Sequence, residues 1–234
     1  MTYVLGFLYA DGDIIDAVSS RTQYIKFSSK DKEILEKIRV VLGSEHPIHL
    51  RPPQISQDKY GHIYRSSKSF YLRIGSREVF FDLIKLGLIP NKSKVIKFPS
   101  IPFRFLGHFL RGYFDGDGTI YLEQRKGVKQ KLIFKRANTI FCSGSETFVK
   151  SLSNVLSKVL NVRKAKVYRG NREFRIMYFT KESVKMFKFM YKNSTGLFLK
   201  RKFNNFKRLF NIRPKWLDKE VIKLLSENVK YLAR

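Results

Sequence analysis

The chain has 234 residues, enough for one large domain or two small ones, and its 43% apolar and 15% aromatic content is ample for a core. No apolar run approaches the roughly 18 residues of a membrane span, and the single cysteine, Cys142, excludes an internal disulfide and a cysteine-rich zinc site. With 47 basic residues against 19 acidic ones the formal charge is +28, an excess whose self-repulsion points to a polyanion partner, nucleic acid first.

The first half opens with a helix over about Thr2–Ala10, followed by strands near Asp13–Ala17 and Gln23–Ser28. The chain begins directly on that helix, which predicts no signal or transit peptide and an intracellular protein with access to DNA. A helix follows from Asp31, the expected N-cap, with Ile34, Leu35, Ile38, Val41 and Leu42 at helical spacing and Gly43 as its stop. Strands fit His46–Arg51 and Ser69–Ile74, with a long polar loop between them. A helix over about Ser76–Leu86 closes the half.

A Pro- and Lys-rich linker runs from Ile89 through Pro99 to Pro102. The second half then repeats the order: a helix over Phe103–Phe114, strands at Thr119–Glu123 and Lys131–Cys142, and a helix from Ser145 to Leu160. Strands at Lys164–Tyr168 and Glu173–Phe179 flank a turn at Arg169–Arg172, and a helix covers Lys181–Tyr191. The tail from Trp216 to Leu232 reads as one more amphipathic helix. The expected fold class is α+β, two duplicated αββαββα halves related by a pseudo-twofold axis. Two antiparallel saddle-shaped sheets flank a central pair of helices. The domains are 1–88, a linker over 89–101, 102–212, and a C-terminal helix over 213–234.

The opening helices of the two halves read alike. One is Val4-Leu5-Gly6-Phe7-Leu8-Tyr9-Ala10-Asp11-Gly12, the other Leu110-Arg111-Gly112-Tyr113-Phe114-Asp115-Gly116-Asp117-Gly118. Gly6 and Ala10, like Gly112 and Gly116, are four apart and share a helix face, so two backbones can approach closely there. Asp11 and Asp117 then fall at helix C-termini, where the dipole disfavours negative charge by up to about 1 kcal/mol. Bringing two such acids together adds repulsion. A divalent cation removes both costs, and carboxylate, carbonyl and water ligands suit Mg²⁺. Two competing readings fit the residues less well. An EF-hand loop would need an acid where Tyr113 sits and Glu where Gln124 sits, and a metal-free glycine turn explains one motif but not its repetition.

These two segments resemble the paired motifs of the single-chain LAGLIDADG homing endonucleases. The linker Leu86-Gly87-Leu88-Ile89-Pro90-Asn91-Lys92-Ser93 and the approach Phe109-Leu110-Arg111-Gly112-Tyr113-Phe114 are similar to the family too. The resemblance implies a monomeric, metal-dependent, site-specific endonuclease that cuts both strands of a long, partly asymmetric DNA target. Mg²⁺, as two or three divalent cations, would be held by Asp11 and Asp117 with the carbonyls of Ala10 and Gly116. It also implies polar or basic groups near the attacking water, at Ser29, Lys30 and Ser143 and near Arg77 and Lys181. An RNA-binding intron-splicing maturase and a non-cleaving DNA-binding regulator remain as alternatives on the same fold.

Strand ribbons fit the major groove, and side chains alternate between faces. Candidate DNA contacts are Gln23, Lys26, Lys68 and Arg73 in the first half, and Lys129, Lys131, Arg136, Arg172 and Arg175 in the second. For each, a non-specific phosphate contact competes with base reading. Neither parity of Lys131–Ala137 is cleanly apolar, so the sequence leaves open which face meets DNA.

Overall fold

In a computed structural model, residues 1–17, 22–127 and 131–232 are described. The chain forms two compact units. One comprises Asp11–Asn91 with Met1, and the other Lys92–Arg234 together with Thr2–Ala10. The architecture is α+β with two antiparallel four-stranded sheets.

The first unit holds β1 (Gly12–Ala17), β2 (Thr22–Ser29), α2 (Lys32–Val41), β3 (Ile48–Arg51), β4 (Ile55–Gln57), β5 (Ile63–Arg65), β6 (Ser69–Gly75) and α3 (Arg77–Lys85). Its sheet runs β1-β2-β6-β3, and β4-β5 forms a separate ribbon. Period-two burial follows from alternation: Ile25, Phe27, Leu72 and Ile74 are buried, and α2 supplies Ile34, Leu35 and Ile38. Ser76 caps α3, its hydroxyl accepting from the Val79 amide. Asp31 is the N-cap residue of α2 but makes no side-chain capping bond to it.

The second unit is larger. It contains α4 (Phe103–Asp117), β7 (Gly118–Lys126), β8 (Leu132–Ser143), α5 (Glu146–Leu160), β9 (Val167–Arg169), β10 (Phe174–Tyr178), α6 (Thr180–Tyr191), α7 (Lys200–Ile212) and α8 (Lys219–Val229). Its sheet order, β7-β8-β10-β9, repeats that of the first unit strand for strand. The core is aromatic: Phe187 and Tyr191 of α6 pack against Phe203 and Phe206 of α7, with ring centroids 5.2–6.0 Å apart.

Three elements differ from the sequence expectation. The polar loop between β3 and β6 contains the β4–β5 hairpin, tied at its tip by Asp58, whose carboxylate accepts from the Tyr60 amide at 2.8 Å and the His62 amide at 3.0 Å. Helix α7 was not anticipated, because its basic residues obscure an apolar face of Phe203, Phe206, Leu209 and Phe210. The tail is not one helix from Trp216: a 3-10 turn at Pro214–Trp216 precedes α8, which Asp218 caps through the Val221 amide at 2.9 Å.

The first helix, α1 (Thr2–Asp11), lies against α4. It is buried on all sides, by Tyr3, Val4, Gly6, Phe7, Leu8 and Tyr9, as expected of a helix apolar all round. Gly6 and Gly112 meet at the crossing. A methyl on Gly6 would collide with the Phe109 carbonyl and lie 2.9 Å from the Tyr113 amide nitrogen. One on Gly112 would collide with the Tyr3 carbonyl and lie 2.8 Å from the Phe7 amide nitrogen. The obstacles are backbone atoms, which no rotamer change relieves. Gly112→Leu is therefore expected to cost at least about 3 kcal/mol, read as a lowered urea midpoint, whereas Gly75→Ala, with nothing within 4 Å of the added methyl, leaves the midpoint almost unchanged.

Candidate metal centres and nucleic-acid interface

Each motif acid is the last residue of its helix and is followed at once by a strand: Asp11 by β1 at Gly12, Asp117 by β7 at Gly118. No turn intervenes. At Gly118 the backbone is already extended, φ −100° and ψ 165°, and an added methyl would sit 2.7 Å from the Phe114 carbonyl oxygen. Glycine after the acid thus lets a helix run straight into a sheet. Asp11 is exposed and Asp117 half-buried.

A helix C-terminus leaves carbonyls without intrahelical partners and a partial negative charge. Two buried lysines answer this. The Lys202 ammonium donates to the carbonyls of Phe114 (2.6 Å), Asp115 (2.7 Å), Gly116 (3.1 Å) and Gly118 (2.5 Å). The Lys92 ammonium donates to the Ala10 carbonyl at 3.3 Å. The two carbonyls expected to assist a metal are therefore the ones that lysines engage, each keeping a second lone pair. Lys30 and Lys181, the lysines chosen from sequence, lie exposed at the β2–α2 junction and in the first turn of α6. Lys202 shares the buried face of α7 with Phe203 and Phe206, but in so basic a helix a lysine reads as surface.

Asp115, which the first motif replaces with Tyr9, is buried and serves structure. Its carboxylate accepts from the Tyr3 hydroxyl at 2.7 Å and the Leu199 amide at 2.9 Å. Burial pushes its pKa up, and the Lys202 charge, the Tyr3 bond, the Leu199 amide and Arg111 oppose the rise. Arg111, equally buried, donates to the carbonyls of Leu197 at 2.9 Å and of Met190. The cluster ties α1, α4, α6 and the segment entering α7 together.

On the first sheet the face away from the helices carries Tyr24, Lys26, Tyr71, Arg73, His49 and Arg51. Cations interleave with rings: Arg73 stands 5.0 Å from the Tyr24 centroid, Lys26 and Arg51 stand 5.8 and 5.7 Å from that of Tyr71, and His49 stacks on Tyr71 at 5.0 Å. Gln23 donates to Asp16 at 2.9 Å, and Lys68 is exposed beside Phe70. Arg77 is exposed at the start of α3.

The parity left open in the second half is decided by burial: Ala137, Thr139, Phe141 and Ser143 face the helices. Arg136 and Cys142 point the other way, and Cys142 pairs across to the exposed Arg175. Arg172 is exposed in the β9–β10 turn and Lys131 just before β8, while Lys129 lies outside the described residues. Ser29 and Ser143 hold equivalent places, each hydroxyl accepting at 3.1 Å from the amide two residues on, Asp31 and Ser145, so they shape the strand-to-helix turn. Arg136 is held by Glu123 at 2.6 Å. Bonds from Lys135, Arg136 and Asn138 hold the Glu123 carboxyl down at about 2. Burial, with Glu173 and Asp117, pushes the Cys142 thiol up to about 12, which leaves it unreactive.

The LAGLIDADG-like domain family model matches residues 104–189. Among solved structures, the homing endonuclease I-WcaI bound to its DNA recognition sequence is 13% identical with a TM-score of 0.58, over 87% of this chain and 84% of that one. The LAGLIDADG meganuclease I-CpaMI bound to uncleaved DNA is 14% identical with a TM-score of 0.57, over 100% and 98%. This chain has the LAGLIDADG homing-endonuclease fold. I-LtrWI, a LAGLIDADG homing endonuclease bound to target DNA, is likewise 14% identical with a TM-score of 0.54, over 98% and 95%. No curated protein matches the sequence. Among the described residues no helix is long and apolar enough to cross a membrane.

Two outcomes follow for this LAGLIDADG fold. Lys202→Met strands several buried carbonyls and the Asp115 charge, and should cost about 3 kcal/mol in urea unfolding, against less than about 0.5 kcal/mol for the exposed Arg208→Met. Glu123 has a folded pKa near 2, below the ordinary 4.5. Its stabilisation is complete above pH 4.5 and lost as pH falls toward 2. Glu123→Gln should therefore flatten the acid limb of the urea midpoint across that window.

Proposed function

We propose that this protein is a site-specific, metal-dependent endonuclease that cuts both strands of duplex DNA, acting as a monomer because one chain supplies both acids. The observation that supports it most is the recurrence, ahead of both four-stranded sheets, of a helix ending in an acid and running without a turn into the first strand of that sheet. On this fold that arrangement puts a carboxylate at the head of each DNA-facing surface.

The donor set fits a hard cation. Each centre offers one carboxylate, Asp11 or Asp117, and a backbone carbonyl, Ala10 or Gly116. Mg²⁺ characteristically takes one or two carboxylates and completes its shell with water and substrate phosphate. Among the described residues no three His, Cys, Asp or Glu side chains gather as a metal site, so phosphate oxygens would fill the remaining positions. The cation supplies Lewis-acid stabilisation of charge developing on the phosphate. Lys92 and Lys202 neutralise the carbonyl ends of the two helices, which fixes the backbone that carries each acid and offsets the cost of anions there. The first sheet, with Lys26, Arg51 and Arg73, neutralises backbone phosphates, and exposed strand side chains such as Arg175 reach base edges.

Selection of cleaved sites from a randomised plasmid library with Mg²⁺ tests the reading. Asp11→Asn or Asp117→Asn should lower double-strand cleavage at least about 100-fold, roughly 2.7 kcal/mol in the barrier, with DNA affinity little changed. Cutting that persists in excess EDTA would refute metal dependence. Affinity for the selected site should fall steeply with salt, each neutralised phosphate adding about −0.9 to the log–log slope. Arg175→Ala should relax preference at one or two adjacent base pairs by about 1–3 kcal/mol each. Tight binding of structured RNA with no cut DNA would replace this reading with the maturase.

A further inference from the structure

The two units share a sheet order but not the connection at the far edge of the sheet. In the second unit β9 returns to β10 through the four residues Gly170, Asn171, Arg172 and Glu173. In the first unit the equivalent connection, from β3 to β6, spans Pro52 to Lys68 and folds into the β4–β5 hairpin. Every residue of both hairpin strands is exposed. Tyr60 is 74% exposed, Ile55 70% and Ile63 65%. A two-stranded ribbon is marginal in water by itself, and leaving these groups solvated forgoes their burial.

The hairpin is nonetheless built to one shape. The Ser66 amide donates to the Gln54 carbonyl at 2.8 Å, the Asp58 amide to the His62 carbonyl at 3.1 Å, and Gly61 supplies the left-handed turn residue at φ +87°. Asp58, the hairpin's one acid, has its carboxylate occupied inside the loop by the Tyr60 and His62 amides, the His62 ring and the Tyr64 hydroxyl, at 2.8–3.0 Å. What remains outward is cationic and apolar: Lys59 and Arg65, with the Ile55, Ile63 and Tyr64 side chains. That combination complements a phosphate backbone and the apolar sugar and base edges beside it. It also continues the cation-and-ring face of the first sheet through Arg51 and Pro52.

We infer that this hairpin is a second DNA-reading element, present for one half of the target only, so that the protein's footprint is longer on the side bound by the first unit. The inference rests on the DNA-cleaving reading above. The hairpin joins β3, the edge strand opposite β1 and hence opposite the strand that follows Asp11, so it extends the contact at the outer flank of that half-site. From Ile55 to Lys59 it reaches about 13 Å at ~3.3 Å per residue, or about four base pairs at ~3.4 Å each.

The test uses the full chain on its selected target, with hydroxyl-radical footprinting and a binding profile of all single-base site variants. In one variant an Asn-Gly turn replaces Gln54–Ser66. In a second, Lys59→Ala, Tyr64→Ala and Arg65→Ala leave the backbone in place, which keeps the test open should the shortened chain fold poorly. The expected result for both is loss of protection and base preference over about four base pairs on one outer flank, no change on the other flank, and cleavage of the selected site retained with weaker binding. The triple substitution should also reduce the salt slope by up to about 1.8, from two lost cations. An unchanged footprint and profile in variants that still cut would overturn the hairpin's role and leave the nuclease reading standing. Wild-type protein that neither protects nor cuts any DNA would overturn both.

Discussion

The second unit is arranged around one contact, the place where the backbone of α1 touches the backbone of α4 at Gly6 and Gly112. Carbonyl and amide atoms of each helix occupy the space where the other's side chain would be. Close approach of two helices in water is normally held off by side-chain bulk, with axes 8–10 Å apart. Here the bulk is displaced sideways: Tyr9 of α1 meets Phe109 of α4 edge-on at 5.4 Å, and Tyr113 of α4 turns away to stack on Phe148 of α5 at 4.6 Å. The glycines set the approach and the rings hold it. Each helix then delivers its last residue, an acid, to the first strand of a sheet.

That delivery would be unfavourable without compensation. A tight helix pair that ends in unpaired carbonyls and carboxylates gathers negative charge where the dipoles already point. Lys202 shows how the fold tolerates it: one ammonium gathers four carbonyls at the junction of α4 and β7. The residue that makes this possible lies on a helix beyond the repeated αββαββα pattern, so the larger C-terminal unit is not mere extension. Its α7 completes the motif helix electrostatically, and Asp115 and Arg111 bind that helix to the segment entering α7, to α6 and to Tyr3 of α1.

The parts of the structure legible in the sequence were those governed by local periodicity and by the repeat. Both motif helices, both four-stranded sheets and the Ile34, Leu35 and Ile38 face of α2 follow from residue spacing, while Val41, expected on that face, is exposed. What was hidden depended on context. Helix α7 was obscured because a buried lysine reads as surface, and its meaning appears only once the carbonyls of α4 are placed beside it. The β4–β5 hairpin was obscured because it has no buried face to produce alternation; a carboxylate, not a core, organises it. Ser29 and Ser143 read as polar groups near the chemistry, and each hydroxyl also accepts the amide hydrogen bond that shapes the turn that follows. The helix-facing parity of β8 could not be chosen from Lys131–Ala137, because the burial that decides it begins only at Ala137.

The allegiance of α1 has a consequence for how the protein is made. Thr2–Ala10 belongs with the second unit, yet it is synthesised well before its partner α4, which begins only at Phe103. At about 5–20 residues per second, an emerging chain waits roughly 5–20 s before the seam that receives α1 exists. During that interval the first unit can assemble its own sheet, while a helix apolar on every side has nowhere to go. Long-range pairing of this kind slows folding and leaves hydrophobic surface open to wrong partners. The same tight seam that joins α1 to α4 thus leaves α1 without its packing partner until the second half of the chain has been made.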